Sequence, residues 1–501
     1  MPTPRSITIN DLTRVWAMED GAGPTVVPEY MGVWKAGAPA WNAGSPTAVY
    51  IPSDSEYGKF DEVASMPGAE EKPTMGFSAR YPRSVASDML RMRRRGCYHD
   101  FQVHIGQCQD PQDFKLGWDK IVVLEHGEIS TYGADDLGSL SGDDRSPVNE
   151  NIDVSGTNLY EILKLNLAEI CSTSVIQEVV DAMFCDTKSC GGECGLASDG
   201  CQKLFALIRA AGGSPGLGAQ LVYSSDQGST CAATPITTLA ANEDPNAMAC
   251  HGDYVIVVSE VSLSHHYALR EQILLGTETW AEVVAVYTAG GGPRCIDTYK
   301  PGYTWIGGAG GYVYFLSGPA VAPVIQDAGA ATIQPLNAIH AYDEENVLAV
   351  GDSNAVIYTA DGGTWALVLG PAPAVNLTAC WMVDENTWFV GTAGGQLFYT
   401  RNAGATWIEK AFPGSGAGVV GDIVFVTTQV GYISHYNLIA GTSNILRTID
   451  GGYEYYVLPE GTGTIPANDQ INALAVCDDP NMVVGGGLGE DGADGFLVKA
   501  S

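Results

Sequence analysis

The chain is poor in basic residues: 25 Lys and Arg stand against 58 Asp and Glu in 501 residues, for a formal charge of −33. A protein that grips a phosphate backbone needs a basic footprint, so tight nucleic-acid binding is excluded. A surface past which DNA slides without sticking is not. Charged residues together make up only 17% of the chain, so it is acidic without being a solvated polyanion. No apolar run approaches the roughly 18 residues that span a bilayer. The opening MPTPRSITINDLTRVW lacks the apolar stretch of a secretory signal. The expectation is a soluble protein made in the cytoplasm, with no membrane partner. Twelve cysteines fall well short of a disulfide-dense scaffold. No P-loop, GxSxG or GxGxxG is found in a supporting strand-to-helix context, and no HExxH occurs. What is abundant is glycine, with 61 copies, which suits a glycine-turned all-β protein of two or more folding units.

Four short stretches share one pattern. SSDQGSTC places Ser224, Asp226, Gly228 and Thr230 at S-x-D-x-G-x-T spacing, and TRNAGATW repeats it with Asn402, Gly404 and a closing Trp407. TIDGGYEY carries Asp450, Gly452 and Tyr455, and TADGGTW carries Asp361, Gly363 and Trp365 with one residue fewer. The residue types fit a tight β-hairpin: Asp or Asn caps backbone N–H groups, Gly takes a positive φ, and the aromatic packs under the turn. Between these turns, apolar runs such as YVIVVS, NVLAVG and TWFVG read as buried strands. They recur at about 40 to 48 residues, the length of a propeller blade. Counting units gives blades at 174–238, 239–285, 286–328, 329–369, 370–411, 412–459 and 460–501, so seven blades are expected, each closing its neighbours' faces under a polar periphery.

Residues 1–165 lack the repeat. They read as a small β domain with an Ala/Pro/Gly-rich arm, strands at 74–80, 99–105, 119–126 and 149–156, and one helix at 84–95. Residues 166–173 read as a linker to the propeller at 174–501. The fold class expected is therefore mostly β: a small sandwich or barrel followed by a β-propeller.

The four turns resemble the Asp-box of sialidase-type repeats, found in sialidases, other glycan-active propellers and photosystem assembly-factor-like propellers. In those families the boxes lie on the propeller periphery, so the resemblance implies a structural role for them. A sialidase also needs an arginine trio, a Tyr nucleophile with its Glu, and an acidic acid/base. The propeller region offers Arg209, Arg270, Arg294, Arg401 and Arg447, of which Arg401 and Arg447 adjoin boxes and read as peripheral, and there is no F/Y-R-I-P stretch. No catalytic residues are assigned, and a non-enzyme without cofactor is expected.

The first 165 residues, with their arm, single helix and long acidic loop VVLEHGEISTYGADDLGSLSGDDRSPVNENIDVSG, resemble the tail-tube domains of tailed bacteriophages. That resemblance implies a structural protein of the virion tail, assembled in the host cytoplasm. Its copies would form stacked homo-oligomeric rings that meet other tail proteins and conduct DNA through the lumen without specific binding. The propeller would decorate the outside and could meet a host surface or its glycans. The alternative is a carbohydrate-binding or carbohydrate-processing propeller with an accessory N-terminal domain.

Remaining candidates are weaker. Cys185, Cys190, Cys194 and Cys201 lie in a glycine-rich insertion, where two disulfides, a structural zinc or free thiols are all open. The basic run containing Arg91, Arg93, Arg94 and Arg95 is either a subunit contact or a solvated helix end. The pairs Asp135/Asp136 and Asp143/Asp144 could bind a divalent cation, but read rather as a solvated, stacking or lumen-facing loop. His265 and His266 lack a metal spacing and read as part of a surface strand.

Overall fold

The structure, a computed structural model, describes residues 148–171, 179–184, 202–208, 219–239, 245–259, 263–284, 286–288, 290–416, 418–459, 465, 469–488 and 495–500, together with the earlier strands named below. The chain divides into two compact units, Met1–Lys164 and Leu165–Ser501. No helix among the described residues is long and apolar enough to cross a membrane.

In the first unit the strands are β1 (Arg14–Glu19), β2 (Glu29–Trp34), β3 (Ala40–Asn42), β4 (Tyr50–Pro52), β5 (Phe60–Glu62), β6 (Thr74–Tyr81), β7 (His99–Ile105), β8 (Lys120–Ala134), β9 (Val148–Ser155) and β10 (Asn158–Leu163). Six of them pair antiparallel in a closed cycle: β8 with β7, β7 with β1, β1 with β2, β2 with β6, β6 with β9, and β9 back onto the second half of β8. Fifteen residues let β8 serve β7 with its first half and β9 with its second. A closed cycle leaves fewer unpaired strand edges. Within the Ala/Pro/Gly-rich arm β3 pairs with β6 and β4 with β5, and before it β1 lies between β2 and β7. The helix expected at 84–95, with Arg91, Arg93, Arg94 and Arg95, lies outside the described residues, as do Asp135, Asp136, Asp143 and Asp144.

The second unit contains seven four-stranded antiparallel sheets. Blades I to VI cover 179–235, 247–283, 293–328, 336–368, 377–410 and 419–457; blade VII is built from the three strands at 470–500 and from β11 (Leu167–Ile170). The first strand of each blade touches the first strand of the next, and Gln470–Val476 of blade VII touches Val179–Phe184 of blade I, so the ring closes. The segment 166–173 is therefore no linker: β11 pairs antiparallel with Gly495–Ala500 and supplies the outer strand of the last blade.

Each blade is apolar on both faces because a neighbour covers each. Leu348, Val350 and Val356 of blade IV pack with Leu377, Met382, Trp388 and Val390 of blade V, all nearly or fully buried. Equivalent clusters join blades VII and I, I and II, II and III, III and IV, and V and VI. Runs such as NVLAVG, buried along their whole length, are continuous rather than alternating for this reason.

Candidate functional site

The four patterned turns all join the third strand of a blade to its fourth, in blades I, IV, V and VI. Their hydrogen bonds repeat. Ser224 Oγ donates to Asp226 Oδ1 at 2.8 Å and accepts from the Gly228 N–H at 2.8 Å, while Asp226 Oδ1 accepts from the Thr230 N–H at 2.7 Å. Thr400, Asn402, Gly404 and Thr406 reproduce this at 2.9, 3.0 and 2.9 Å, and Thr448, Asp450, Gly452 and Glu454 at 2.8, 2.8 and 2.9 Å. In the shorter turn, Asp361 Oδ1 accepts from the N–H groups of both Gly363 and Thr364. The bonds from Thr230 hold the Asp226 carboxyl below the usual range, and those from Thr364 and Gly363 hold Asp361 well below it.

These turns also reach the preceding blade. Trp407 Nε1 donates to Leu369 O at 2.7 Å, just past the outer strand of blade IV, and Trp365 Nε1 donates to Gln326 Oε1 at 3.1 Å on the outer strand of blade III. Tyr455 is buried in the cluster shared with blade V. In blade I the same position holds Cys231, which is disulfide-bonded to Cys171 at the end of β11. All four closing side chains therefore tie one blade to the one before it.

The axis of a propeller is where seven inner strands converge and where a ligand would sit. Here every junction between neighbouring blades carries a bond from an inner polar side chain to the next blade's backbone. Asp181 Oδ2 accepts from Met248 N at 2.7 Å, Asp297 Oδ2 from Ala341 N at 2.8 Å, and Asp422 Oδ2 from Leu474 N at 2.8 Å. Asn246 donates to Pro293 O at 2.9 Å, Asn337 to Leu377 O at 2.9 Å, Thr378 to Val420 O at 2.6 Å, and Asn472 to Val179 O at 3.5 Å. His340 Nδ1 adds a second bond at the IV–V junction, accepting from Met382 N at 3.2 Å. Each inner strand is an edge of its sheet, which leaves backbone groups on its axial side for the next blade, and six of the seven also carry a backbone bulge.

Asp181 and Asp422 are half-buried. Burial pushes both carboxyls up to about 7 against the pull of their backbone N–H donors. Asp297 and Asp422 raise Asp181 further, and Asp297 raises Asp422. Sequence reasoning missed the latches, although the signal is legible: LNA at 336, LTA at 377 and INA at 471 set a small polar residue between apolar ones at one register.

Other candidates are placed differently from their sequence reading. Arg447 lies on the third strand of blade VI, away from the inner strand, and is fully buried; its Nη2 donates to Pro480 O at 2.7 Å and to Asn481 Oδ1 at 3.2 Å, so it bridges blades VI and VII. Arg401 is exposed on its turn, Arg294 lies on an inner strand, and Arg270 opens the one-turn helix Arg270–Leu274 in blade II. These arginines do not converge; Arg209 lies outside the described residues. His265 and His266 are fully buried, not on a surface strand. His265 Nε2 meets Pro319 O at 2.9 Å and its Nδ1 meets Tyr287 Oη at 3.2 Å, and burial pushes its imidazole down to about 4. Cys185, Cys190, Cys194 and Cys201 lie outside the described residues. Among the described residues, no group of three or more His, Cys, Asp or Glu is placed to hold a metal ion.

No protein-family description matches the chain, and no curated protein matches it by sequence. Solved structures do match its fold. A streptogramin B lyase is 11% identical, with a TM-score of 0.51, over 67% of this chain and 97% of that one. A catalytically inactive histidine-to-alanine variant of virginiamycin B lyase from Staphylococcus aureus with quinupristin is 11% identical, with a TM-score of 0.50, over 68% and 99%. YCF48 from Cyanidioschyzon merolae is 13% identical, with a TM-score of 0.48, over 67% and 98%. At this identity the likeness is one of fold, and the fold it supports is the β-propeller.

Proposed function

We propose that the chain is a structural protein of a tailed-phage virion. Its first unit assembles as stacked rings of a tail tube that conducts DNA without specific binding, and its propeller is a non-catalytic decoration that meets a host surface or its glycans. The observation that carries the non-catalytic part is the commitment of axial polar side chains at all seven junctions to backbone bonds between blades, which leaves the axis built for ring integrity. The arginines stand apart, and a carboxylate-gripping trio needs them together. The tube part rests on the sequence resemblance, on the strongly acidic composition suited to a non-adhesive lumen, and on strand pairing that closes into a cycle in the first unit. Negative-stain imaging of the purified chain tests it: rings or tubes are expected, and a uniform field of monomers at high concentration overturns the tube. Release of sugar from a glycan panel, abolished by substituting Asp181 or Asp422, overturns the non-catalytic reading.

A further inference from the structure

Antiparallel order within each blade sends the first-to-second and third-to-fourth connections to one side of the ring. The second-to-third connections and the links between blades go to the other. The two sides differ in charge. The first carries the patterned turns and the acidic hairpins with Asp253, Glu345, Glu385 and Asp478 exposed. On the second side, from blade III to blade VI, the segments 290–292, 309–311, 329–335, 352–355, 369–376, 393–396, 411–416 and 438–441 hold one charged residue, Asp352. Asp352 is itself bonded by Asn337 Nδ2 at 2.9 Å. The same arc exposes large apolar side chains: Ile439 is 86% exposed, Leu369 82% and Ile333 75%, joined by Leu438. Along this arc, among the described residues, the second side therefore lacks the polar cover that the turns give the first.

We propose that this uncharged arc is a self-association surface on which a second copy of the chain docks, propeller against propeller. The reading of the protein as a ring-forming virion component is compatible with it but not required by it. Charge selects the occupant. A nucleic acid or an anionic lipid surface finds no cation in these connecting segments, with only Arg294 and Lys410 at the adjoining strand ends, and a basic partner is drawn to the opposite, acidic side. A second copy carries −33 and is repelled along most of its surface, but not along this arc. A two-fold pairing of arc on arc buries the exposed apolar side chains against their equivalents and sets the two acidic sides furthest apart.

The test is the mass of the full chain by light scattering over a concentration series, for wild type, for the double variant Leu369→Asp with Ile439→Asp, and for the control Leu275→Asp. Leu275 is 74% exposed but follows the one-turn helix on the acidic side. All three sites are exposed, so circular dichroism should stay unchanged. Wild type and the control are expected to show at least twice the mass of the double variant at the same concentration, beyond whatever rings the first unit forms in all three. A wild type whose mass the double variant leaves unchanged overturns the proposal, as does a wild type that is a single chain at every concentration. Rings or tubes from the first unit, seen in the double variant by negative stain, separate this outcome from that of the tube reading.

Discussion

Cys231 stands at the position that Trp407 holds in a sister turn, and it replaces a hydrogen bond to the preceding blade with a covalent bond to Cys171. Its partner directly follows β11, the strand that closes the ring. The Cα atoms are 5.3 Å apart and the bond spans 60 residues. The closing strand is thus held by four residues of pairing with Gly495–Ala500 and by one disulfide.

Substituting Cys171 and Cys231 together by Ser should weaken ring closure by about 2–4 kcal/mol, the usual worth of a disulfide closing a loop of tens of residues. Denaturant unfolding under non-reducing conditions measures it, and limited proteolysis should cut near β11 first. An unchanged midpoint would mean that strand pairing alone closes the ring.

Cys250 and Cys477 are also disulfide-bonded, whereas Cys295 and Cys380 are free and buried on inner strands. Peptide mapping of the unreduced protein should therefore recover Cys171, Cys231, Cys250 and Cys477 only in cross-linked peptides. Cys295 and Cys380 should alkylate only after denaturation. Burial pushes the Cys295 thiol up to about 12, which keeps it protonated and unreactive. Free alkylation of Cys250 in the native protein would contradict the assignment.

Much of the propeller was legible because its strands are short, apolar and punctuated by glycine and Asp turns; runs such as YVIVVS and NVLAVG are strands from end to end. β11 was not, because LAEI is unremarkable alone and its partner strand begins more than 300 residues later. The burial of Arg447 was not legible for a different reason. It lies one residue before the end of the strand Thr442–Thr448, and its side chain reaches the backbone of blade VII, which the sequence places more than 30 residues away. The axial latches were hidden because an isolated Asn or Thr inside an apolar run gains meaning only when seven such runs are set side by side.

Gly404 has φ +79°, and a Cβ there would lie 2.3 Å from Val368 Cγ1 on the outer strand of blade IV. Gly416 has φ +95° with nothing among the described residues within 4 Å of such a Cβ. Both positions are strained for a side chain, but only the first also collides. Gly416→Ala should cost about 1 kcal/mol and Gly404→Ala about 1–3 kcal/mol more. Equal melting temperatures for the two variants would show that the turn does not press on the preceding blade.

The stability of the ring should carry two opposed responses to acid. Asp181 and Asp422 hold their protons up to about 7 when folded, against 3.8 for an ordinary Asp. Between those values the folded state binds more protons, so their contribution grows as pH falls from 7 toward 4. His251, His265 and His435 are lowered from 6.5 by burial, His265 to about 4. Below 6.5 the unfolded chain takes protons that the folded one refuses, so these three lose stability over the same range. His435 is fully buried against Phe412, with ring centroids 5.0 Å apart, and neither ring nitrogen has a hydrogen-bond partner among the described residues. His435→Phe therefore removes a titration without breaking a bond, and Asp422→Asn removes one of the opposite sign. Measured against wild type in urea at pH 7, 6 and 5, His435→Phe should gain stability on acidification and Asp422→Asn should lose it. Differences that run in the same direction for both variants would refute the assignment of these two groups.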